Sequence, residues 1–288
     1  MKSVVLVALI ALVGAFAFLL FRLPFVGSYQ FSEDTAALQR GGYLVTAGGC
    51  VSCHINPDQG NSLSGGMALE SDFGVFRVPN ITPDISTGIG NWSAEDFVRA
   101  IRHGRNTDGG FYFPAFPYRA YSGLSDQDVL DMGSYLMSLE PVANDTGEHD
   151  LPLWIGNWMM AGWNLLADLE AEKPVAITDP VVARGAYLAR YLGHCGECHT
   201  PRNSLGILSA DQEFGGATIG ESHADPINLD ALHNWSVDDF AFFLFLGMKP
   251  DEEYVGGAME SVIAHNTSRL TEDDRLAMAR FFKFEGPR

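Results

Sequence analysis

The chain has 288 residues, 47 % of them hydrophobic, and carries 36 acidic against 18 basic side chains, for a formal charge of −18. That length builds one large domain or two small ones. The acidic balance argues against nucleic acid, whose phosphates call for Lys and Arg, and favours a basic docking partner or a solvated acidic surface.

The first element is an apolar run. From Val4 to Phe21 there is no charge and no strongly polar group, about the lower limit for a helix that crosses a bilayer. The run predicts a transmembrane signal-anchor over residues 1–24. Lys2 would stay cytoplasmic, Arg22 weakens that bias slightly, and the rest of the chain would be exported. The expected placement is single-pass in the cell inner membrane with the bulk in the periplasm. A cleaved signal peptide ending at Ala15-Phe16-Ala17 is the rival reading; the apolar run continues past that site, which favours the anchor.

All four cysteines fall in two copies of one pattern, Cys50-Val-Ser-Cys53-His54 and Cys195-Gly-Glu-Cys198-His199. Cys-x-x-Cys-His is the attachment sequence of c-type haem. The thiols add across the two porphyrin vinyl groups and the histidine lies under the iron. A dithiol redox motif has no need of the histidine. A four-cysteine zinc site keeps its pairs within a few tens of residues, whereas Cys53 and Cys195 are 142 apart. Disulfides would leave both histidines unexplained. The reading is two covalent haems c with His54 and His199 as iron ligands.

Each motif heads a copy of one plan. RGGYLVTAGGCVSCH (40–54) matches RGAYLARYLGHCGECH (184–199), which is one residue longer. NWSAEDFVRAIRHG (91–104) matches NWSVDDFAFFLFLG (234–247) at an offset of 143, and LSDQDVLDMGSYLMSLEP (124–141) matches LTEDDRLAMARFFKFEGP (270–287) at 146. The repeat predicts domain 1 over 36–141, a Trp-rich linker over 142–175 and domain 2 over 176–288. Ser93, Ser125, Ser236 and Thr271 each open an S/T-x-x-D helix start. Val129, Leu130, Gly133 and Leu136 recur at helical spacing, as do Leu276 and Phe282 with their neighbours. No convincing alternating strand pattern appears, so the expected fold is all-α, with the porphyrin filling much of each core.

The second axial ligand separates the two copies. In domain 2, Val255-Gly256-Gly257-Ala258-Met259 places Met259 after two glycines that let a backbone approach closely. Met there favours electron transfer; Met248 is the weaker competitor. The equivalent of Met259 in domain 1 is Phe116, within FYFPAFPY (111–118). Phe cannot bind iron. His103, Met67 and Met132 stand as alternatives beside a five-coordinate or water-bound first haem. Met132 and its counterpart Met278 read as core residues.

The stretches VPNITPD (78–84), HTPRNSLG (199–206), GGAMESV (256–262) and NTSRLTEDDR (266–275) resemble the cytochrome c subunits of bacterial periplasmic dehydrogenases that oxidise alcohols, aldehydes and gluconate. The resemblance covers about residues 36 to 288. It implies two tandem class I-like cytochrome c domains, covalent haem c, Met259 as ligand of the second haem, and electron transfer to ubiquinone or a terminal oxidase. Those relatives often carry three haems, and their first domain has Met where this chain has Phe116 or Leu124.

The expected function is thus a membrane-anchored dihaem electron carrier. It would accept electrons from a dehydrogenase catalytic subunit and pass them to quinone, a soluble cytochrome or an oxidase. The alternative is a dihaem enzyme, peroxidase-like or sulfur-oxidising, working at an open first haem. No distal His or Arg–Glu constellation surrounds Phe116, and no carboxylate pair, phosphate loop or Ser–His–Asp set stands out. The linker concentrates Trp154, Trp158, Met159, Met160 and Trp163, read either as a helix packed in the seam or as a docking patch for the catalytic subunit. Arg202 and Asn203 read either as haem-propionate partners or as surface residues.

Overall fold

The computed structural model describes residues 26–286 apart from 59, 61, 62, 172–174 and 221, and before that stretch residues 14, 21, 23 and 24. The apolar run over 4–21 therefore lies almost wholly outside the described residues. Among those described, no helix is long and apolar enough to cross a membrane. This overturns the expected transmembrane helix, and with it the single-pass inner-membrane placement. Both rested on apolar length alone, at the lower limit for a span.

The first half runs α1 (Thr35–Ala47), α2 (Cys50–His54), α3 (Ala94–His103) and α4 (Asp126–Met137). After the connecting helix α5 (Met160–Glu170), the second half repeats the plan. It has α6 (Pro180–Ala186), α7 (Gly196–His199), α8 (Val237–Leu246), α9 (Ala258–His265), which in the first half is only the four-residue turn Tyr118–Tyr121, and α10 (Glu272–Phe282). The hydroxyls of Ser93, Ser125, Ser236 and Thr271 accept from the backbone N–H three residues on, and Ser93–Asp96 and Ser236–Asp239 close full capping boxes.

The purely helical expectation needs correction. Two short antiparallel hairpins follow the haem motifs: β1 (Ala68–Ser71) with β2 (Gly74–Arg77), and β3 (Ala217–Ile219) with β4 (Ser222–Ala224). Strands of three or four residues are too short to show an alternation.

In each half the first helix crosses the last at a glycine. A Cβ on Gly41 would lie 1.9 Å from the Asp131 carbonyl oxygen, and one on Gly185 would lie 1.9 Å from that of Ala277. Only glycine lets the two backbones approach so closely. The one-residue difference between the copies also has a structural form. Seven positions separate Tyr43 from Cys50 and eight separate Tyr187 from Cys195. The extra residue is absorbed in a π-helical turn over Tyr187–Leu192, which holds one residue more than an α-turn.

The halves share one continuous core and clasp each other reciprocally. Tyr43 of the first half donates to Asp274 of the second at 2.5 Å, and Tyr187 of the second donates to Asp128 of the first. These pairs are equivalent under the repeat, so the clasp has the self-complementary form of a two-fold interface.

Asp274 also accepts from Nε and Nη2 of Arg184, each at 2.8 Å. Burial pushes its carboxyl up. The hydrogen bonds from Arg184 and Tyr43, with the Arg184 charge, outweigh that and hold it below its ordinary value. A depressed carboxylate adds stability above its unfolded value and loses it as pH falls through the folded one. Asp274→Asn is expected to cost about 2 kcal/mol near neutral pH, with the deficit closing below about pH 4. Denaturant unfolding of both proteins across that range checks this; a deficit independent of pH would refute it.

Candidate haem sites

The two motifs sit on α2 and α7, single helical turns that present the cysteines and histidine together. The residue before each first cysteine has left-handed backbone: Gly49 at φ 72° and His194 at φ 40°. Glycine adopts this freely, whereas His194 adopts it under packing constraint.

Each histidine is oriented from both ends. His54 Nδ1 lies 2.8 Å from the Pro79 carbonyl, and His199 Nδ1 lies 2.6 Å from the Asp225 carbonyl. A carbonyl only accepts, so Nδ1 carries the proton and donates, and Nε2 is left with the lone pair an iron ligand needs. The backbone carbonyls of the same histidines accept from Gly65 N at 2.8 Å and Gly216 N at 2.7 Å. Both glycines have positive φ, 73° and 84°. A Cβ on Gly65 would lie 2.4 Å from the Pro79 oxygen, and one on Gly216 would lie 2.9 Å from Pro226 N. The same device thus fastens each motif to the segment that carries its histidine's acceptor.

The VPNITPD stretch is built for that task. Buried Asn80 donates to Thr87 and the Val142 carbonyl and accepts from the amide and hydroxyl of Thr82. This network holds Pro79 in place. Sequence reasoning singled out the stretch but not the carbonyl within it, because a backbone acceptor leaves no trace in side-chain type.

The chemistry of the donor set suits haem attachment. Burial pushes the Cys50 and Cys195 thiols up to about 12, and Cys53 and Cys198 are raised by burial too. Such thiols are neutral, unlike the thiolates of zinc sites or reactive redox pairs. No disulfide joins them, and no His/Cys/Asp/Glu cluster among the described residues is arranged for a bare metal ion. Burial lowers His54 to about 4, outweighing the Pro79 hydrogen bond, so it is neutral as iron ligation requires.

The two motifs face one another. The Cys198 thiol is near enough to add to the upward push on Cys53. Ser52 Oγ donates to Asn266 Oδ1 at 2.7 Å, and Tyr121 OH donates to the Gly48 carbonyl at 3.0 Å. His194 Nε2 shares that carbonyl at 3.2 Å, with its ring edge-on to Tyr121 at 5.4 Å. Tyr121 and His194 were missed in the sequence. Neither belongs to the attachment motif, and their meeting depends on the halves folding together.

The candidate sixth ligands fall in different surroundings. Met259 lies in the first turn of α9, packed against the core. Gly257 before it takes φ 66° and ψ −144°, a region reserved for glycine. Open space surrounds its would-be Cβ and that of Gly256, so the requirement at Gly257 is backbone conformation rather than close approach. Phe116 is half-buried against the core, with its ring 5.9 Å from Tyr121 and 5.7 Å from Tyr112. Met132 and Met278 are buried helix residues, 1 % and 2 % exposed. His103 lines a cavity of about 320 Å³ with Arg102, Arg105 and Arg119; burial, then Arg102 and Arg105, lower its pKa. Met67 offers its carbonyl to Val78 N. Met248 bridges to Tyr254. Arg202 and Asn203 are engaged within the chain, Arg202 with Glu197 and Gly206, Asn203 with Glu170 and its own loop.

A helical double repeat with two Cys-x-x-Cys-His turns and two oriented histidines is the architecture of a dihaem c-type cytochrome. Comparison with known proteins agrees. No protein-family profile matches the chain. It is 38 % identical over 282 residues to a dihaem cytochrome c-type protein of Cereibacter sphaeroides, covering 96 % of this chain and 95 % of that one. It is 36 % identical to the cytochrome c subunit of gluconate 2-dehydrogenase from Pantoea cypripedii, and 34 % identical to that of the quinone-dependent alcohol dehydrogenase from Gluconobacter oxydans. Over 90 % of this chain aligns with each, but it spans only 64 % and 58 % of their lengths. The chain belongs to this family of dihaem cytochromes c and cytochrome c subunits of dehydrogenases, and its role is electron transfer.

Gly65→Ala is expected to destabilise the protein by about 2 kcal/mol or more, because the new methyl meets the Pro79 carbonyl at a positive φ. Denaturant unfolding measures it, and a stability equal to wild type would sink this account of the glycine.

Proposed function

We propose that the chain relays electrons through two covalently attached haems c, one in each half, from a dehydrogenase catalytic subunit to an acceptor. Cys50 and Cys53 would form the thioethers of the first haem, with His54 as its ligand. Cys195 and Cys198 would hold the second between His199 and Met259. The domain bounds are those of the repeat, 36–141 and 176–288, joined by 142–175. The observation that carries this reading is the duplicated histidine, each with Nδ1 tied to a carbonyl and Nε2 left for iron. Haem supplies a one-electron couple; the chain's residues attach it, orient the ligand and shield both from water. Quinone, a soluble cytochrome or an oxidase would each serve as acceptor.

The connecting segment fits the donor side. One face of α5 is fastened to both halves: Met160 and Ala161 pack on Phe111, Tyr118 OH donates to Asn164, and Trp163 Nε1 donates to the Leu205 carbonyl at 2.8 Å. The segment leading into α5 exposes Trp154, in a turn, and Trp158, in the 3-10 turn Asn157–Met159, at 69 % and 64 % accessible. Bare tryptophans beside a helix fastened to both halves suit an interface with the catalytic subunit. Trp158→Ala should abolish co-purification of that subunit while leaving the haem spectrum intact; undiminished co-purification would remove this surface from consideration.

With Phe116 where Met259 stands in the other half, the first haem lacks the ligand that raises potential. A potentiometric titration should resolve two midpoints, the lower belonging to the first haem. Phe116→Met should raise that one, and Met259→Ala should lower the other, each on the order of 0.1 V within the ~0.8 V range that axial ligands command. A single shared midpoint, unmoved in both variants, would defeat the ligand assignment.

A further inference from the structure

The two halves differ most at one helix face. On α3 the positions Arg99, Arg102 and His103 carry cationic or titratable groups. Their equivalents on α8 are Phe242, Phe245 and Leu246, spaced three and four apart on one stripe. All three are exposed, at 43 %, 45 % and 44 %. Tyr254, in the hairpin that returns from α8, is 63 % exposed and bridges to Met248.

In the first half the part of the corresponding site at Phe111 is covered from within the chain, while His103 stays exposed. Phe111, the equivalent of Tyr254, is 8 % exposed. It lies under Arg105 and edge-on to Phe21 at 5.8 Å, with Met160 and Ala161 beside it. The covering segment supplies Tyr29 N, which donates to Glu95 at the start of α3. The second-half face thus repeats a position that is partly an intrachain contact in the first half, at Phe111 and Glu95, with apolar side chains in place of the cations.

Its surroundings specify the partner. Asp251, Glu252 and Glu253 stand exposed in the turn immediately before Tyr254, and Asp238 lies one turn before Phe242 on α8. Lys249 in the same turn, Arg275, stacked over Phe245 at 4.7 Å, and Arg269, on the 3-10 turn Thr267–Arg269 that packs on α8, are the cations at this face, against the four carboxylates. The hairpin is tied to α8 by Val255 N donating to Gly247 O at 2.9 Å, and it leads directly to Met259.

We propose that Phe242, Phe245, Leu246 and Tyr254 form the apolar centre of a docking surface beside the second haem site. The occupant would be an electron-transfer protein with a lysine-rich rim around its own apolar centre. The acidic rim would steer encounter, and the aromatic centre would give a close, desolvated contact. This inference rests on the electron-relay reading and names the chemistry of the acceptor.

The test uses the full-length haem-loaded protein and a lysine-rich monohaem cytochrome c as probe, with a net-negative cytochrome as control. Binding and the second-order rate of electron transfer are measured at low and high salt. Wild type should bind and reduce the basic probe with strong salt dependence and ignore the acidic one. Phe242→Gln with Phe245→Gln should weaken binding about tenfold with the salt slope kept. Asp251→Asn, Glu252→Gln and Glu253→Gln together should flatten that slope, with both haem spectra and potentials unchanged. Lack of binding by wild type, equal behaviour of both variant sets, or equal use of the acidic probe would overturn the proposal. So would self-association in sedimentation that the Phe variants abolish, since it would give this face to a second copy. Reduction of wild-type haems by dithionite and reoxidation by ferricyanide isolates the relay itself; its failure would strike the electron-transfer reading rather than the docking surface.

Discussion

An imidazole offers a lone pair to iron from one nitrogen only when the other holds the proton. Everything around the two attachment motifs serves that division. In each half a carbonyl, 25 residues downstream in the first and 26 in the second, accepts the hydrogen bond from Nδ1–H. A left-handed glycine takes the histidine's own carbonyl and presses against the same downstream segment. The ring is therefore fixed in tautomer and in direction by backbone groups, themselves held in the first half by the Asn80 side chain.

The repeat supplies more than two copies of a site. Because Tyr43 reaches Asp274 while Tyr187 reaches Asp128, the halves bind each other through equivalent groups, as two subunits of a dimer would. The shared core and the contacts of Ser52 with Asn266 and of His194 with Gly48 bring the two motifs face to face. Two redox centres held this way keep a constant separation, which a flexible linker would not provide.

The copies have diverged where function calls for a difference. The first half has Phe116 at the position equivalent to Met259 and covers Phe111 with Arg105, Phe21 and α5. The second keeps Met259 and leaves the α8 face bare. One protein thereby has two unlike surfaces: an acidic, aromatic one near the second motif, and the exposed Trp154 and Trp158 just before α5, the helix fastened to both halves.

Much of this was written in local sequence. The Cys-x-x-Cys-His spacing is dictated by a covalent macrocycle, so it is legible without any fold. The repeat, the four helix caps and the exchange of Met for Phe116 are likewise one-dimensional facts, since capping acts within three residues. The hairpins escaped notice because so few residues cannot establish a period. The apolar opening run suggested a membrane span that no described helix provides. The Pro79 and Asp225 acceptors, the π-turn that absorbs one inserted residue, the reciprocal tyrosine clasp and the exposure of Phe242 and Phe245 were decided only in three dimensions. Each depends on groups far apart in the chain, or on backbone atoms that every residue possesses, and contacts of that kind exist only once the helices have packed.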